Sequence, residues 1–271
     1  MADAPGFQLK GSAPERYETY VAPLMAPFVT ALLDAADLNP GDTVLDLACG
    51  TGFAARAAAA LTGPAGRVYG IDINEGMVSV ARERHPRLYP DIEFAVAAAD
   101  RLPYPDATFD TVVCQQAAQF FPDLTAALTE TARVTRPQGR FAATVWAALD
   151  DQPYFRALGR AIEEYGGPEA AKTFAHAFAC TAEQLTTALG TAGYRSTEQR
   201  QITVDITLPR LDDYVGGHLS ATSWSTRITE PGGQEALTRA ARLIRDELAP
   251  YTADDGTATL PFTAVLVTAV R

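Results

Sequence analysis

The chain has 271 residues, 47% hydrophobic and 20% charged, with a formal net charge of −11. That length accommodates one large α/β domain or a core with a cap, and the composition is that of a globular protein. The negative charge argues against a nucleic-acid partner, which would meet a basic face, and against docking on an anionic membrane. Residues Ser12 to Asp37 read as helical, with Val21, Leu24, Met25, Phe28, Leu32 and Leu33 at helical spacing. Pro23 and Pro27 are expected to split this stretch into two pieces, each proline near a helix start. Asn39-Pro40-Gly41-Asp42 is a turn.

The next segment, TVLDLACGTG from Thr43 to Gly52, is an apolar strand ending in a glycine turn, and an alanine-rich helix, Phe53–Leu61, follows at once. Gly50 and Gly52 permit backbone conformations closed to other residues and let a ligand approach the main chain. The helix start offers free N–H groups and a partial positive charge. Asp46 can accept hydrogen bonds from loop amides or from a ligand ammonium. A dinucleotide fingerprint would read G-x-G-x-x-G; here D-L-A-C-G-T-G lacks its first and third glycines. The segment resembles motif I of the class I S-adenosylmethionine-dependent methyltransferases, and most nearly the small-molecule group around the ubiquinone/menaquinone-biosynthesis enzymes. Ala48 stands where many members have glycine.

Strands and helices then alternate. Strands are expected at Thr43–Ala48, Arg67–Ile73, Ile92–Ala97, Phe109–Gln115 and Gly139–Ala147, and helices at Glu75–Arg84 and Thr125–Thr135. Near-continuous apolar strands between helices indicate a parallel sheet covered on both faces. The rhythm breaks after Trp146. Asp150–Ala179 reads as irregular helical material, Thr181–Ala192 as a helix capped by Thr181, and Ile202–Leu208 as an alternating strand. Leu211–Pro250 holds a second helical insertion, and Thr259–Val270 closes with a strand. The expected fold is thus α/β, a doubly wound, seven-stranded, mostly parallel sheet, Rossmann-like, with a helical N-terminal segment and helical lid insertions. The expected layout is a single domain over 1–271: cover at 12–38, cofactor core at 40–147, lids at 150–180 and 210–250, and the remaining sheet at 181–208 and 258–271. Cys49, Cys114 and Cys180 form no C-x-x-C pair, which points to a reducing, cytoplasmic compartment. The N-terminal MADAPGFQLKG lacks a basic-then-apolar leader pattern.

The resemblance, close over 40–147, implies S-adenosyl-L-methionine as cofactor and S-adenosyl-L-homocysteine as product. It assigns the cofactor to Asp46, Ala48, Gly50 and Gly52, and to Asp72 at the end of strand two for the ribose. Ile73 and Met77 would offer an apolar face to the adenine, whose amino group falls to Asp100, with a neighbouring backbone N–H at Arg101. Gln115 and Gln116, ending strand four, would meet the cofactor's ammonium through their backbone, and Tyr17 of the E-R-Y-x-x-Y run would reach its methionine portion. R-V-T-R-P-Q-G, Arg133 to Gly139, resembles the family's turn before strand five.

Open α/β sheets bind ligands beyond the carboxyl ends of their strands, where strand order reverses. The acceptor is therefore expected near Gln119, Phe120 and Trp146, with Phe155, Phe178, Tyr214 and Trp224 as further pocket residues. Of three histidines, His85 reads as surface, while His176 and His218 in the insertions are candidate general bases. No Asn/Asp-Pro-Pro-Tyr/Phe follows strand four and no acid ends it, so adenine or glutamine N-methylation and a catechol-type metal site are not expected. The reading is metal-independent, in-line methyl transfer to oxygen, carbon or nitrogen of a small aromatic or apolar molecule. The alternative is a protein of the same fold that binds the cofactor but catalyses a non-methylating reaction such as a cyclisation. Oligomeric state is left open.

Overall fold

The computed structural model describes residue 9, residues 11–84 and residues 91–271; His85 lies outside the described residues. Seven strands form one sheet in the order β3-β2-β1-β4-β5-β7-β6. They are β1 (Thr43–Leu47), β2 (Arg67–Asp72), β3 (Ile92–Val96), β4 (Phe109–Gln115), β5 (Thr135–Trp146), β6 (Arg195–Leu208) and β7 (Ala258–Val270). The first five run parallel, and β7 inserts antiparallel between β5 and β6. Strand order reverses between β1 and β4, so a crevice opens beyond their carboxyl ends.

Each face of the sheet is covered, which is why Val44, Leu45 and Leu47 of β1 are all fully buried. On one face pack α2 (Ala22–Ala36), α3 (Phe53–Thr62) and α4 (Glu75–Arg84), continuous with α6 (Pro153–Gly166) and α10 (Trp224–Leu248). On the other lie α5 (Leu124–Val134) and α8 (Ala182–Thr191). The remaining helices, α1 (Ala13–Tyr20), α7 (Pro168–Ala175) and α9 (Leu211–Ser220), each bring a residue to the cleft at the carboxyl ends: Tyr17, Phe174 and His218. All six apolar residues expected to face the core from the N-terminal helices are buried.

Most element ends fall within a residue of the sequence reading, and the larger differences are these. The N-terminal stretch splits into two pieces as expected, at Val21 with a bend of 62°; Pro23 lies in the first turn of α2, but Pro27 sits inside that helix and not at a start. Pro27 lies in the second turn of α2, where the helix continues without the bond its missing N–H would make to the Pro23 carbonyl. Strand β5 begins at Thr135, not Gly139, pairing Thr135 with Phe109 before the register shifts to Arg140 against Thr111. The Pro137-Gln138-Gly139 turn is thus an excursion within the strand, with Gln138 at φ 66°. Strand β6 begins at Arg195, seven residues early, because β7 supplies a ladder to a stretch whose side chains are exposed and carry no apolar alternation. Asp150–Ala179 is more regular than expected: α6 and α7 are separate helices followed by a short 3₁₀ turn. Thr181 caps α8 as expected, in a full capping box with Gln184. Among the described residues no single helix is long and apolar enough to cross a membrane.

Gly52 is the tightest point between helix and sheet. It sits at φ 80°, and an added Cβ would lie 2.7 Å from the Phe94 ring and 3.3 Å from the Ala81 Cβ. Gly52→Ala therefore combines a left-handed non-glycine residue with overpacking. The expected cost is about 2–4 kcal/mol, read as a lower urea midpoint. An unchanged midpoint would show that β3 and α4 yield freely around the turn.

Candidate active site

The carboxyl ends of β1, β2 and β4 deliver their side chains to one cleft of about 250 Å³. Asp46, Ala48, Cys49, Gly50 and Thr51 line it from β1 and the glycine turn, Asp72 and Ile73 from β2, and Gln115 and Gln116 from β4. The glycine turn is held by β2: the Gly50 N–H donates to Asp72 Oδ2 at 2.9 Å, and the Asn74 N–H donates to Oδ1 at 2.8 Å. Ala48 and Gln116 close the ends of β1 and β4 in left-handed conformation, φ 58° and 49°. Two non-glycine residues in that region at one crevice are the backbone strain that binding sites tend to hold.

Asp46 is 1% exposed and neither carboxyl oxygen has a hydrogen-bond partner. Burial pushes its pKa up to about 7, and the neighbouring Asp72 adds to the shift. Asp72 is likewise raised, chiefly by burial and against its amide bonds. Gln115 Nε2 and both side-chain amide atoms of Gln116 are also buried without partners. Buried polar groups are nearly always satisfied in folded proteins. Orphaned acceptors and donors converging on one cleft describe a site built for a polar ligand. A carboxylate, amide groups and a helix N-terminus suit a zwitterion with a ribose.

Above this polar floor the cleft continues into an aromatic chamber. Trp146 stacks edge-on against Phe155 at 4.8 Å, Phe155 lies 5.2 Å from Phe178, and Phe174 lies 5.5 Å from Trp224. Phe120, Met77, Tyr17 and His218 also line the cleft. Burial raises the Tyr17 hydroxyl, with Asp72 adding to the effect. Asp100 lines the rim and is exposed.

Several expected residues stand elsewhere. Gly52 does not line the cleft; its left-handed turn faces Phe94. Arg101 is exposed, and its backbone N–H closes a turn on the Ala98 carbonyl at 3.1 Å. Gln119 lies outside the lining, its Nε2 donating to the Gln116 carbonyl at 2.9 Å. That bond occupies one of the backbone acceptors expected for the cofactor's ammonium. His176 is exposed in the 3₁₀ turn after α7 and outside the lining, paired through Nδ1 with the Lys172 carbonyl. Tyr214 lies behind the chamber wall, bonded to His218.

His218 is 3% exposed, and burial lowers its pKa to about 4 from 6.5. The unfolded chain therefore binds a proton first as pH falls. The stability this residue contributes is present above pH 6.5 and is lost as pH falls to about 4, a change of about 3 kcal/mol. His218→Gln is expected to flatten that part of the urea-midpoint profile between pH 4 and 6.5; an unaltered profile would place the acid transition elsewhere.

Not anticipated from sequence were Phe174 and Thr222 in the lining, and a clamp over the glycine turn. Arg56 of α3 bonds the Thr51 carbonyl at 2.7 Å and Glu18 of α1 at 2.5 Å. Glu18 and Arg56 are 38 residues apart, and no local pattern links them.

A methyltransferase-domain family model matches residues 45–143. Nocamycin O-methyltransferase of Saccharothrix syringae is 30% identical over 267 residues, covering 90% of this chain and 91% of that enzyme. A demethylmenaquinone methyltransferase of Symbiobacterium thermophilum is 43% identical over 105 residues, 38% of this chain and 42% of that enzyme. Among solved structures, a Haemonchus contortus phosphoethanolamine N-methyltransferase in complex with S-adenosylhomocysteine superposes with a TM-score of 0.57 at 20% identity. It covers 90% of this chain and 52% of that one, a likeness of fold.

Proposed function

Since this chain belongs to the class I S-adenosylmethionine-dependent methyltransferases, we propose that it methylates an oxygen of a small, largely apolar molecule held in its aromatic chamber. The observation that carries this reading is the continuity of the cleft: orphaned polar groups at the strand ends open directly into the Trp146–Phe155–Phe178–Trp224 chamber. The relative that aligns along nearly the whole chain, including the region after Trp146, is named as an O-methyltransferase, which supports oxygen over carbon or nitrogen.

S-adenosylmethionine supplies an already activated methyl group, so the protein's work is to position and to exclude water. Asp72 would accept from the ribose while holding the glycine turn, and Asp46 would meet positive charge through its unpaired oxygens. Gly50 and Ala48 bring the main chain close. Ile73 and Met77 would flank the adenine near Asp100 at the rim, and Tyr17 would cover the methionine portion. The chamber's aromatic walls would hold the acceptor's apolar body. His218, uncharged at neutral pH and part of the same lining, would serve as the base.

Purified protein incubated with S-adenosylmethionine and a panel of small phenols, enols, amines and activated carbons tests the reading. The expected result is S-adenosylhomocysteine formed in step with an O-methylated product. Methyl transfer to nitrogen or carbon alone would overturn the oxygen assignment. Conversion of a substrate to an isomer without S-adenosylhomocysteine would favour a cyclisation instead.

A further inference from the structure

The break between α1 and α2 leaves a carbonyl to be served. Pro23 has no N–H, and the Leu24 N–H goes to the Val21 carbonyl at 3.0 Å. The Tyr20 carbonyl, last in α1, accepts instead from the Tyr214 hydroxyl of α9 at 2.8 Å. The same hydroxyl lies 2.9 Å from Nδ1 of His218, one turn further along α9. A phenolic hydroxyl carries a single proton. If that proton went to His218, the Tyr20 carbonyl would lose this donor. Both contacts are satisfied together in one arrangement: Tyr214 donates to the carbonyl and accepts from Nδ1–H.

The arrangement is built for a fixed geometry. Tyr214 is 6% exposed, and the α1–α9 contact is close enough that a Cβ on Gly217 would lie 2.3 Å from the Tyr20 ring. Tyr154 of α6 packs edge-on against the imidazole at 5.2 Å. No carboxylate is hydrogen-bonded to the ring among the described residues; its polar neighbours are Tyr154, Tyr214 and the Tyr20 carbonyl. Asp46, Asp72 and Tyr17 share the cleft it lines.

We infer that Tyr214 is a positioning residue: it holds His218 as the Nδ1–H tautomer, so that Nε2 is the unprotonated nitrogen available to an uncharged hydroxyl, phenolic or enolic, on the acceptor. The inference rests on the proposed O-methylation for the identity of the acceptor group, but not for the tautomer. The step balances. The O–H bond breaks and Nε2–H forms as the O–CH3 bond forms and the S–CH3 bond breaks. Positive charge leaves the sulfur as it appears on the imidazole, so the chamber's total charge is unchanged. This matters because burial opposes an imidazolium in the resting protein. A carboxylate acceptor, already ionised, would have no use for such a base.

The test is a long-range 1H–15N correlation on the full chain labelled with 15N-histidine, at pH 7 with S-adenosylhomocysteine present. His218 is assigned by its loss in His218→Gln. The expected wild-type pattern is a protonated Nδ1 and an unprotonated Nε2, and Tyr214→Phe loses that pattern, shifting toward Nε2–H. A wild-type Nε2–H tautomer overturns the inference even if Tyr214→Phe does not fold. Persistence of Nδ1–H in a folded Tyr214→Phe protein overturns it as well. Calorimetry on the same samples separates the two claims: failure of the wild type to bind S-adenosylhomocysteine sinks the methyltransferase reading and leaves the tautomer result standing.

Discussion

Replacing Asp72 with alanine is expected to weaken S-adenosylhomocysteine binding by about 100-fold or more, or about 3 kcal/mol. Asp72 does two things from one carboxylate. Its oxygens hold the Gly50 and Asn74 amides at 2.9 and 2.8 Å, and in the proposed site they also receive the ribose hydroxyls. Hydrogen bonds to a charged acceptor contribute roughly 1.5–3 kcal/mol each, and a buried N–H left without its acceptor adds the cost of its desolvation. Loss of the carboxylate therefore removes ligand contacts and loosens the turn that shapes the site. Asp72→Asn separates these effects, because its amide oxygen can keep one loop bond while its NH2 faces the other N–H. Binding is expected to fall by about tenfold, the loss of one such bond. Calorimetry with NAD as a control measures both variants. Wild-type affinity in Asp72→Ala would remove the β2 acid from the cofactor site.

Cofactor affinity is expected to rise with pH, by on the order of 20-fold between pH 5.5 and 7.5 at constant ionic strength. The cause is Asp46. Burial holds its carboxyl near 7 in the folded protein against an ordinary 3.8. A ligand ammonium or hydroxyl meeting its unpaired oxygens favours the ionised form, so binding below pH 7 must expel a proton. The sign for the free protein is opposite. The folded state binds this proton more tightly than the unfolded chain, so its contribution to stability is complete below pH 3.8 and is lost as pH rises through 7. Asp72, also raised, acts in the same direction. Ligand binding is thus expected to protect against unfolding more strongly at pH 7.5 than at pH 5.5. Asp46→Asn is expected to flatten the affinity profile while weakening binding at the alkaline end. A flat wild-type profile would mean that the cofactor does not engage Asp46 as an anion.

The order of elements and the place of the cleft were legible in the chain because they depend on short-range features. Strand β1, its glycine turn and α3 are adjacent in sequence, and their apolar runs and turn residues are read locally. The same holds for Asp72 at the end of β2 and for the α8 capping box, whose two partners are three residues apart. What the local pattern could not convey was direction. Gly52 and Gly50 are two residues apart, yet one packs on Phe94 and the other lines the cleft. Gln119 and Gln116 share a turn, and only Gln116 reaches the cleft.

The two histidines illustrate the division. Composition and position offered His176 and His218 equally, both on helices of the insertions. Only the packing of α1, α6 and α9 separates them: it leaves His176 in solvent and encloses His218 among Tyr154, Tyr214 and the Tyr20 carbonyl, 198 residues away in sequence at its furthest. Local sequence determined the sheet, the turn and the acids at the strand ends, since secondary structure and turn chemistry follow from neighbours within a few residues. The tertiary structure alone decided which side chains share the chamber and which groups surround His218. Those depend on contacts between segments that meet only after the chain has folded.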